Sequence, residues 1–238
     1  ALALADTTWW ELFGDTVLTY LIKTAIVENN DVKIAAARVD EFMGLYGVDE
    51  SDYYPKFDVG ASGRVGEANA DGVKFRAERW TVDLSAFWEI DIWGKYRRAN
   101  EAALADLLAS EEGRRGVILS ITSFIASSYF DLLSLDNQLE IANKTVESRN
   151  KTLDLFQQRW EKGDISQLEI SQLESEYWYA VSQVPQIEKS IVQLENAISV
   201  LLGRSPGPIP RGNNLNDLLL PEIPESMPSQ LLERRPDV

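Results

Sequence analysis

Apolar residues recur with two different periods along this chain, and the change of period divides it. From about Asp15 to Glu28, Leu18, Leu21, Ile22, Ala25 and Ile26 share one helical face, and Asp15 stands where an N-cap belongs. Asn29 and Asn30 interrupt that face. Asp31 is placed to cap a second helix, in which Val32, Ala35, Val39, Phe42 and Tyr46 alternate steps of three and four, the spacing of a coiled-coil seam. Pro55 is expected to stop this helix.

The period then falls to two. In Lys56–Val65 the residues Phe57, Val59, Ala61 and Val65 alternate with Lys56, Asp58, Ser62 and Arg64. In Arg79–Glu89 the residues Trp80, Val82, Leu84, Ala86 and Trp88 alternate with Thr81, Asp83, Ser85 and Glu89, Phe87 being the misfit on the polar side. Each run predicts a strand of about ten residues, enough to cross a bilayer when tilted. The join Gly66–Glu78 contains the turn signal Asp71–Gly72, but its length predicts a long loop rather than a tight hairpin.

Beyond Trp93–Gly94 the helical period returns and persists. After an alanine-rich opening at Ala99–Ala109, a heptad seam runs through Ile118, Ile121, Ile125, Ser128, Leu132, Leu135, Leu139, Ala142, Val146, Arg149, Leu153, Phe156 and Trp160, polar only at Ser128 and Arg149. From Gly94 to Trp160, at 1.5 Å per residue, such a helix is roughly 100 Å long. Glu161–Ser166 reads as a turn, with Gly163 as a stop and Ser166–Glu169 as a capping box. The returning helix carries a second seam, Ile170, Leu173, Tyr177, Ala180, Val184, Ile187, Ile191, Leu194, Ile198 and Leu201, with Pro185 inside it, expected to kink the helix or open one hydrogen bond, and Gly203 as its end. So short a turn makes the two helices antiparallel neighbours.

The fold class is therefore mainly α with a two-stranded β segment. The chain divides into N-terminal helices (1–55), two strands and their join (56–93), a long helical hairpin (94–203), and a linker rich in Pro, Gly and Asn (204–228). A further helix begins at 229–238. There Leu232 to Pro236-Asp237-Val238 can be laid over Ile26 to Asn30-Asp31-Val32, which suggests the start of a second copy of the whole unit.

Composition narrows the chemistry. The 238 residues contain no cysteine and no histidine, which excludes disulfides, thiolate metal sites, thiol nucleophiles and histidine acid–base catalysis. A net charge of −15 argues against a nucleic-acid partner and is compatible either with simple solubility or with a cation-favouring surface or lumen. No catalytic, cofactor-binding or metal-binding motif is found. Asp83 with Glu89 and Asp131 with Asp136 are the carboxylate pairs a hydrolase could use, but no pocket-forming pattern accompanies them. No run of about eighteen apolar residues is evident, so no transmembrane helix is expected and a membrane role would fall to the strands.

Two strands alone do not make a stable sheet, and in a bilayer an open edge has no water to bond its backbone groups. Membrane strands would have to close with other copies. Tyr53, Tyr54, Phe57, Trp80, Trp88 and Trp93 near the strand ends fit interfacial girdles, although alternation by itself favours a soluble sheet packed on a helix, with the aromatics as core. The heptads alone fit a coiled-coil rod. Phe124, Phe130, Leu133, Leu155, Trp178 and Tyr179 lie outside the seams and widen the apolar band, as helices packed on both sides require. The competing reading is a soluble coiled-coil scaffold or adaptor with a small β cap.

Several stretches, in order, resemble the outer-membrane efflux proteins, the TolC-like outer-membrane factors, and most closely their multidrug lipoprotein branch. They are Trp10-Glu11-Leu12-Phe13-Gly14-Asp15, Ala35-Ala36-Ala37-Arg38-Val39, Trp88-Glu89-Ile90-Asp91-Ile92-Trp93-Gly94, Glu195-Asn196-Ala197-Ile198 with Leu201-Leu202-Gly203-Arg204, and Leu231-Leu232-Glu233-Arg234-Arg235-Pro236-Asp237-Val238. The resemblance implies the N-terminal repeat of a two-repeat subunit, and a homotrimer that closes a twelve-stranded transmembrane β-barrel and an α-helical barrel across the periplasm. It implies a passive export duct without enzymatic activity or cofactor, located in the outer membrane of a Gram-negative bacterium and working with a periplasmic adaptor and an inner-membrane pump. By position, Gly163, Asp164, Ile165 and Ser166 resemble the tip that adaptors contact. The same resemblance makes Phe57, Val59, Ala61, Val65, Trp80, Val82, Leu84, Ala86 and Trp88 lipid-facing. The branch's lipidated cysteine has no counterpart here, and its gate belongs to the second repeat, expected after Val238.

Overall fold

The computed structural model describes residues 9–215 and Leu218. The proposed second unit at 229–238, and the linker after 218, lie outside these residues. A short 3₁₀ turn at Trp9–Phe13 precedes helices α1 (Thr16–Glu28) and α2 (Asn30–Ser51), strands β1 (Lys56–Ala70) and β2 (Val73–Phe87), and helices α3 (Lys95–Glu161) and α4 (Gln167–Leu201). The described residues form two compact units, one of residues 9–36 with those from 112 onward, the other of residues 37–111.

The first unit holds the core. Leu18, Leu21, Ile22 and Ala25 of α1 pack with Ile121, Ile125, Tyr129 and Leu132 of α3 and with Ile191 and Ile198 of α4. Ile209, beyond α4, is buried in the same cluster. The seams read from the sequence mark the shielded faces: Ile170, Ala180, Ile191 and Ile198 are buried, and the seam residues between them are half-buried. Arg149, polar within its seam, is explained by an ion pair across the helices to Glu176, Nη1 to Oε2 at 2.7 Å. α4 runs without a break through Pro185, which has no N–H to offer the preceding turn. By length and composition one window of α3 is apolar enough to cross a membrane, contrary to the sequence expectation. Buried residues of α3, Ile121 to Leu133, all belong to one short stretch, and helix packing accounts for their hydrophobicity.

The caps follow the sequence with one correction. Asp15 does cap α1, its Oδ1 accepting from the N–H groups of Val17 at 2.7 Å and Leu18 at 2.9 Å. For α2 the cap is Asn29 rather than Asp31. Its Oδ1 accepts from Asp31 N–H at 2.8 Å and Val32 N–H at 3.1 Å, while its Nδ2 donates to the Leu201 carbonyl at 2.8 Å. One buried amide thus starts α2 and satisfies the last turn of α4, which an aspartate without a donor could not do.

In the second unit β1 and β2 pair antiparallel from Lys56↔Phe87 to Ala70↔Val73. The expected long join is in fact strand, and each strand has 15 residues. Only Asp71 and Gly72 form the connection. Both have positive φ, 50° and 83°, the left-handed geometry that a two-residue hairpin turn demands and that Asp-Gly tolerates. α2 ends at Ser51, ahead of Pro55.

Candidate membrane-facing hairpin and helical tip

The strand register decides which residues share a face. Phe57 is opposite Ala86, Val59 opposite Leu84, Ala61 opposite Val82, Gly63 opposite Trp80, and Val65 opposite Glu78. Directly opposed residues project to the same side of a sheet, so eight of the nine positions expected to face lipid share one surface. Trp88 is the exception. It lies one residue past the end of β2, and its Nε1 donates to the Tyr53 carbonyl at 3.1 Å. On the shared surface Val59 is 75% exposed and Val82 79%. The Trp80 ring covers Gly63, where an added Cβ would come within 2.5 Å of the indole. Glycine here lets the aromatic lie flat across the neighbouring strand.

This apolar band ends abruptly. Two residues beyond Val65 comes Glu67, opposite Arg76, and Arg76 pairs along its strand with Glu78, Nε to Oε1 at 3.0 Å. From Phe57 to Val65 the band covers about 27 Å of strand at 3.4 Å per residue, close to the height of an outward apolar belt of about 25 Å in membrane barrels. The opposite face is polar, its successive rungs being Asp58↔Ser85, Gly60↔Asp83, Ser62↔Thr81 and Arg64↔Arg79. Below β2, Glu89 accepts from the Tyr96 hydroxyl at 2.7 Å and pairs with Lys95. These two partners, the tyrosine foremost, hold its carboxyl below the usual range.

The tip in the first unit is built from two caps. Gly163, at φ 81°, closes α3: its N–H donates to the Trp160 carbonyl at 2.8 Å, and Asp164 N–H reaches back to Arg159 at 3.0 Å. That double closure satisfies carbonyls α3 would leave bare. Ser166 then opens α4. Its Oγ accepts from Glu169 N–H at 3.3 Å, and Glu169 Oε2 accepts from Ser166 N–H at 2.8 Å. The Ser166 backbone and hydroxyl bonds keep the Glu169 carboxyl below the ordinary range. Gly163, Asp164 and Ser166 are exposed and Ile165 is half-buried.

Neither carboxylate pair suggested by the sequence forms a catalytic dyad. Asp83 lies over Gly60, Glu89 is engaged by Lys95 and Tyr96, and Asp136 is clamped by Arg211, Nε to Oδ2 at 2.8 Å and Nη2 to Oδ1 at 3.1 Å. Arg211 also pairs with Glu195. This clamp, and the buried contact of Asp15 with Tyr129 beside it, were not foreseen: their partners are 75 and 114 residues apart in sequence.

The chain is 32% identical over its whole length to the pyoverdine export outer membrane protein OpmQ of Pseudomonas putida, and covers 53% of it. Over 99% of its length it is 27% identical to the toluene efflux pump outer membrane protein TtgC of Pseudomonas putida, covering 50% of that protein. A crystal structure of CusC superimposes with a TM-score of 0.84 at 27% identity, over 98% of this chain and 54% of CusC. The chain thus spans about half the length of the relatives it matches. The profile of the outer membrane efflux protein family matches residues 21–204, and the chain belongs to that family of outer-membrane proteins.

Proposed function

We propose that the full-length protein is the outer-membrane duct of a tripartite efflux system, a passive exit for small molecules across the periplasm and outer membrane. One observation carries the reading: a two-stranded hairpin with a continuous exposed apolar face, a polar opposite face, and no other strand paired to it among the described residues. Such a sheet requires further strands at its edges and lipid on its apolar side. In this reading Phe57, Val59, Ala61, Val65, Trp80, Val82, Leu84 and Ala86 face lipid, and a homotrimer supplies the remaining strands of a closed barrel.

α3 and α4 are helices of an α-helical barrel. Phe124, Leu155, Trp178 and Tyr179 are exposed in the single chain, and neighbouring helices of the assembly cover them. Gly163, Asp164, Ile165 and Ser166 are the tip offered to a periplasmic adaptor, which in turn connects to an inner-membrane pump. The pump supplies energy, and the duct supplies neither cofactor nor chemistry. The relatives are named for export of pyoverdine, toluene and cations, so the fold does not set the cargo of this chain. The test is conductance of the purified full-length protein in planar bilayers. Stable trimer-sized channels are expected; a protein that remains soluble without detergent and forms no channels would return the coiled-coil scaffold to first place.

A further inference from the structure

On the polar face of the hairpin, Arg64 stands directly opposite Arg79. Like charges on one rung are destabilising, and among the described residues neither guanidinium has an ion pair or a hydrogen bond. Elsewhere on the hairpin the charges are placed otherwise. Arg76 pairs with Glu78 on the apolar side, and Lys56 pairs with Asp52 at 2.6 Å. Toward the turn the rungs of this face, Gly66↔Ala77, Ala68↔Phe75 and Ala70↔Val73, carry no charge. In the other direction it becomes acidic, with Asp83 on the Gly60 rung and Asp58 on the rung after that. From Arg64 to Asp58 is six residues, about 20 Å along the strand at 3.4 Å per residue.

We propose that the Arg64–Arg79 rung is a binding site for multivalent anions in the lumen of the barrel. This rests on the duct proposed above, in which the face opposite the lipid-facing one lines the conduction path. Two guanidiniums side by side offer planar forks of N–H donors that match phosphate, sulfate or carboxylate oxygens, and a bridging dianion removes their mutual repulsion. Repetition by a trimer makes the rung a positive ring, set against the acidic balance of the chain as a whole. The lumen then carries a positive belt on the turn side and an acidic belt below it. Anionic cargo would meet the acidic belt first and be drawn on by the arginines.

The experiment uses full-length channels in planar bilayers, with reversal potentials in a potassium chloride gradient and block by added pyrophosphate. Arg64→Gln with Arg79→Gln should raise the potassium-to-chloride permeability ratio and raise the half-blocking pyrophosphate concentration on the order of tenfold. Arg64→Lys with Arg79→Lys, which keeps the charge, should leave the permeability ratio near that of the parent. Asp83→Asn is the control for the lumen itself and should lower the ratio. If the glutamine variant conducts with unchanged ratio and unchanged block while Asp83→Asn shifts the ratio, the anion site is wrong and the duct stands. If none of the three variants moves either readout in a conducting channel, the polar face does not line the path, and the orientation of the hairpin falls with the site.

Discussion

The hydroxyl of Tyr129, in α3, donates a 2.9 Å hydrogen bond to Oδ2 of Asp15, the residue that caps α1. Both side chains are buried. The same phenol oxygen accepts from Gly212 N–H at 2.9 Å, and Asp15 Oδ2 accepts from Asn213 N–H at 3.1 Å. One carboxylate therefore starts a helix with one oxygen and ties the segment after α4 with the other. An added Cβ at Gly212 would meet that carboxylate at 2.5 Å, so the chain can pass here only as glycine.

Tyr129→Phe should cost about 1–3 kcal/mol, because it leaves the buried Asp15 carboxylate short of a donor without opening a cavity. The wild-type protein should also weaken in alkali. Burial, then the Asp15 carboxylate beside it, push the Tyr129 hydroxyl up to about 12 from its ordinary 10. The unfolded phenol loses its proton near pH 10 while the folded one keeps it. This contribution is thus complete below pH 10 and is lost as pH rises toward 12. Denaturant midpoints between pH 8 and 12 check both points: the phenylalanine variant should start lower and show a shallower alkaline decline.

Arg211 clamps Asp136 with two nitrogens and reaches Glu195 with the same guanidinium, and these bonds drive its own pKa upward. Arg211→Ala should lower stability by about 1–3 kcal/mol, since Glu195 is left mostly buried without a cation, with only the Ile209 N–H to accept from. Arg211→Lys should recover only part of this, because an ammonium cannot make the fork to Asp136. A double-mutant cycle with Asp136→Ala, read by thermal unfolding, should give a coupling energy well above that of the exposed pair Lys144–Glu140.

Val82 sits at the middle rung of the apolar band, opposite Ala61. Val82→Arg should impair membrane assembly, costing about 2–4 kcal/mol per site at the bilayer midplane. Thr81→Arg, one residue along on the polar face, should assemble normally. The yield of detergent-extracted trimer from outer membranes distinguishes them; equal yields would mean that the two faces are not lipid and lumen.

Much of this was legible in the sequence because burial imposes a period. The heptad positions of α3 and α4 are buried or half-buried except Arg149 and Trp160, and the alternation of Phe57–Val65 with Trp80–Ala86 gives the hairpin's two faces. Reading failed where burial stops. Between Gly66 and Glu78 the strands continue and the period of two persists, but its phase inverts: Glu67, Asn69, Lys74 and Arg76 take the face that was apolar and Gly66, Ala68, Phe75 and Ala77 the other, so a reading that follows one apolar face stops there. The α2 cap was misplaced for a different reason. Asn29 and Asp31 are both good caps, and the choice depends on a bond to Leu201, 172 residues away. Long-range pairs such as Asp15–Tyr129 leave no local trace, and only the N-cap half of that contact could be foreseen.

The tip separates stability from recognition. Ser166→Ala removes the cap and should cost about 1 kcal/mol, within the usual range for a lost N-cap hydroxyl. Glu169 contributes through the charged form: its carboxyl is held below the ordinary 4.5 by the Ser166 backbone and hydroxyl. That contribution is complete above pH 4.5 and disappears as pH falls through the lowered value. Glu169→Gln should keep the reciprocal bond and lose the acid dependence, because the amide does not titrate. Asp164 is exposed and its side chain takes no part in the caps, so Asp164→Lys should leave unfolding unchanged. If the turn is the adaptor's contact, Asp164→Lys should weaken adaptor binding at unaltered stability, measured by titration of the purified adaptor against the trimer. Ser166→Ala should alter both. Adaptor affinity indifferent to Asp164 and lowered only in proportion to lost helix stability would reduce the tip to a well-capped turn.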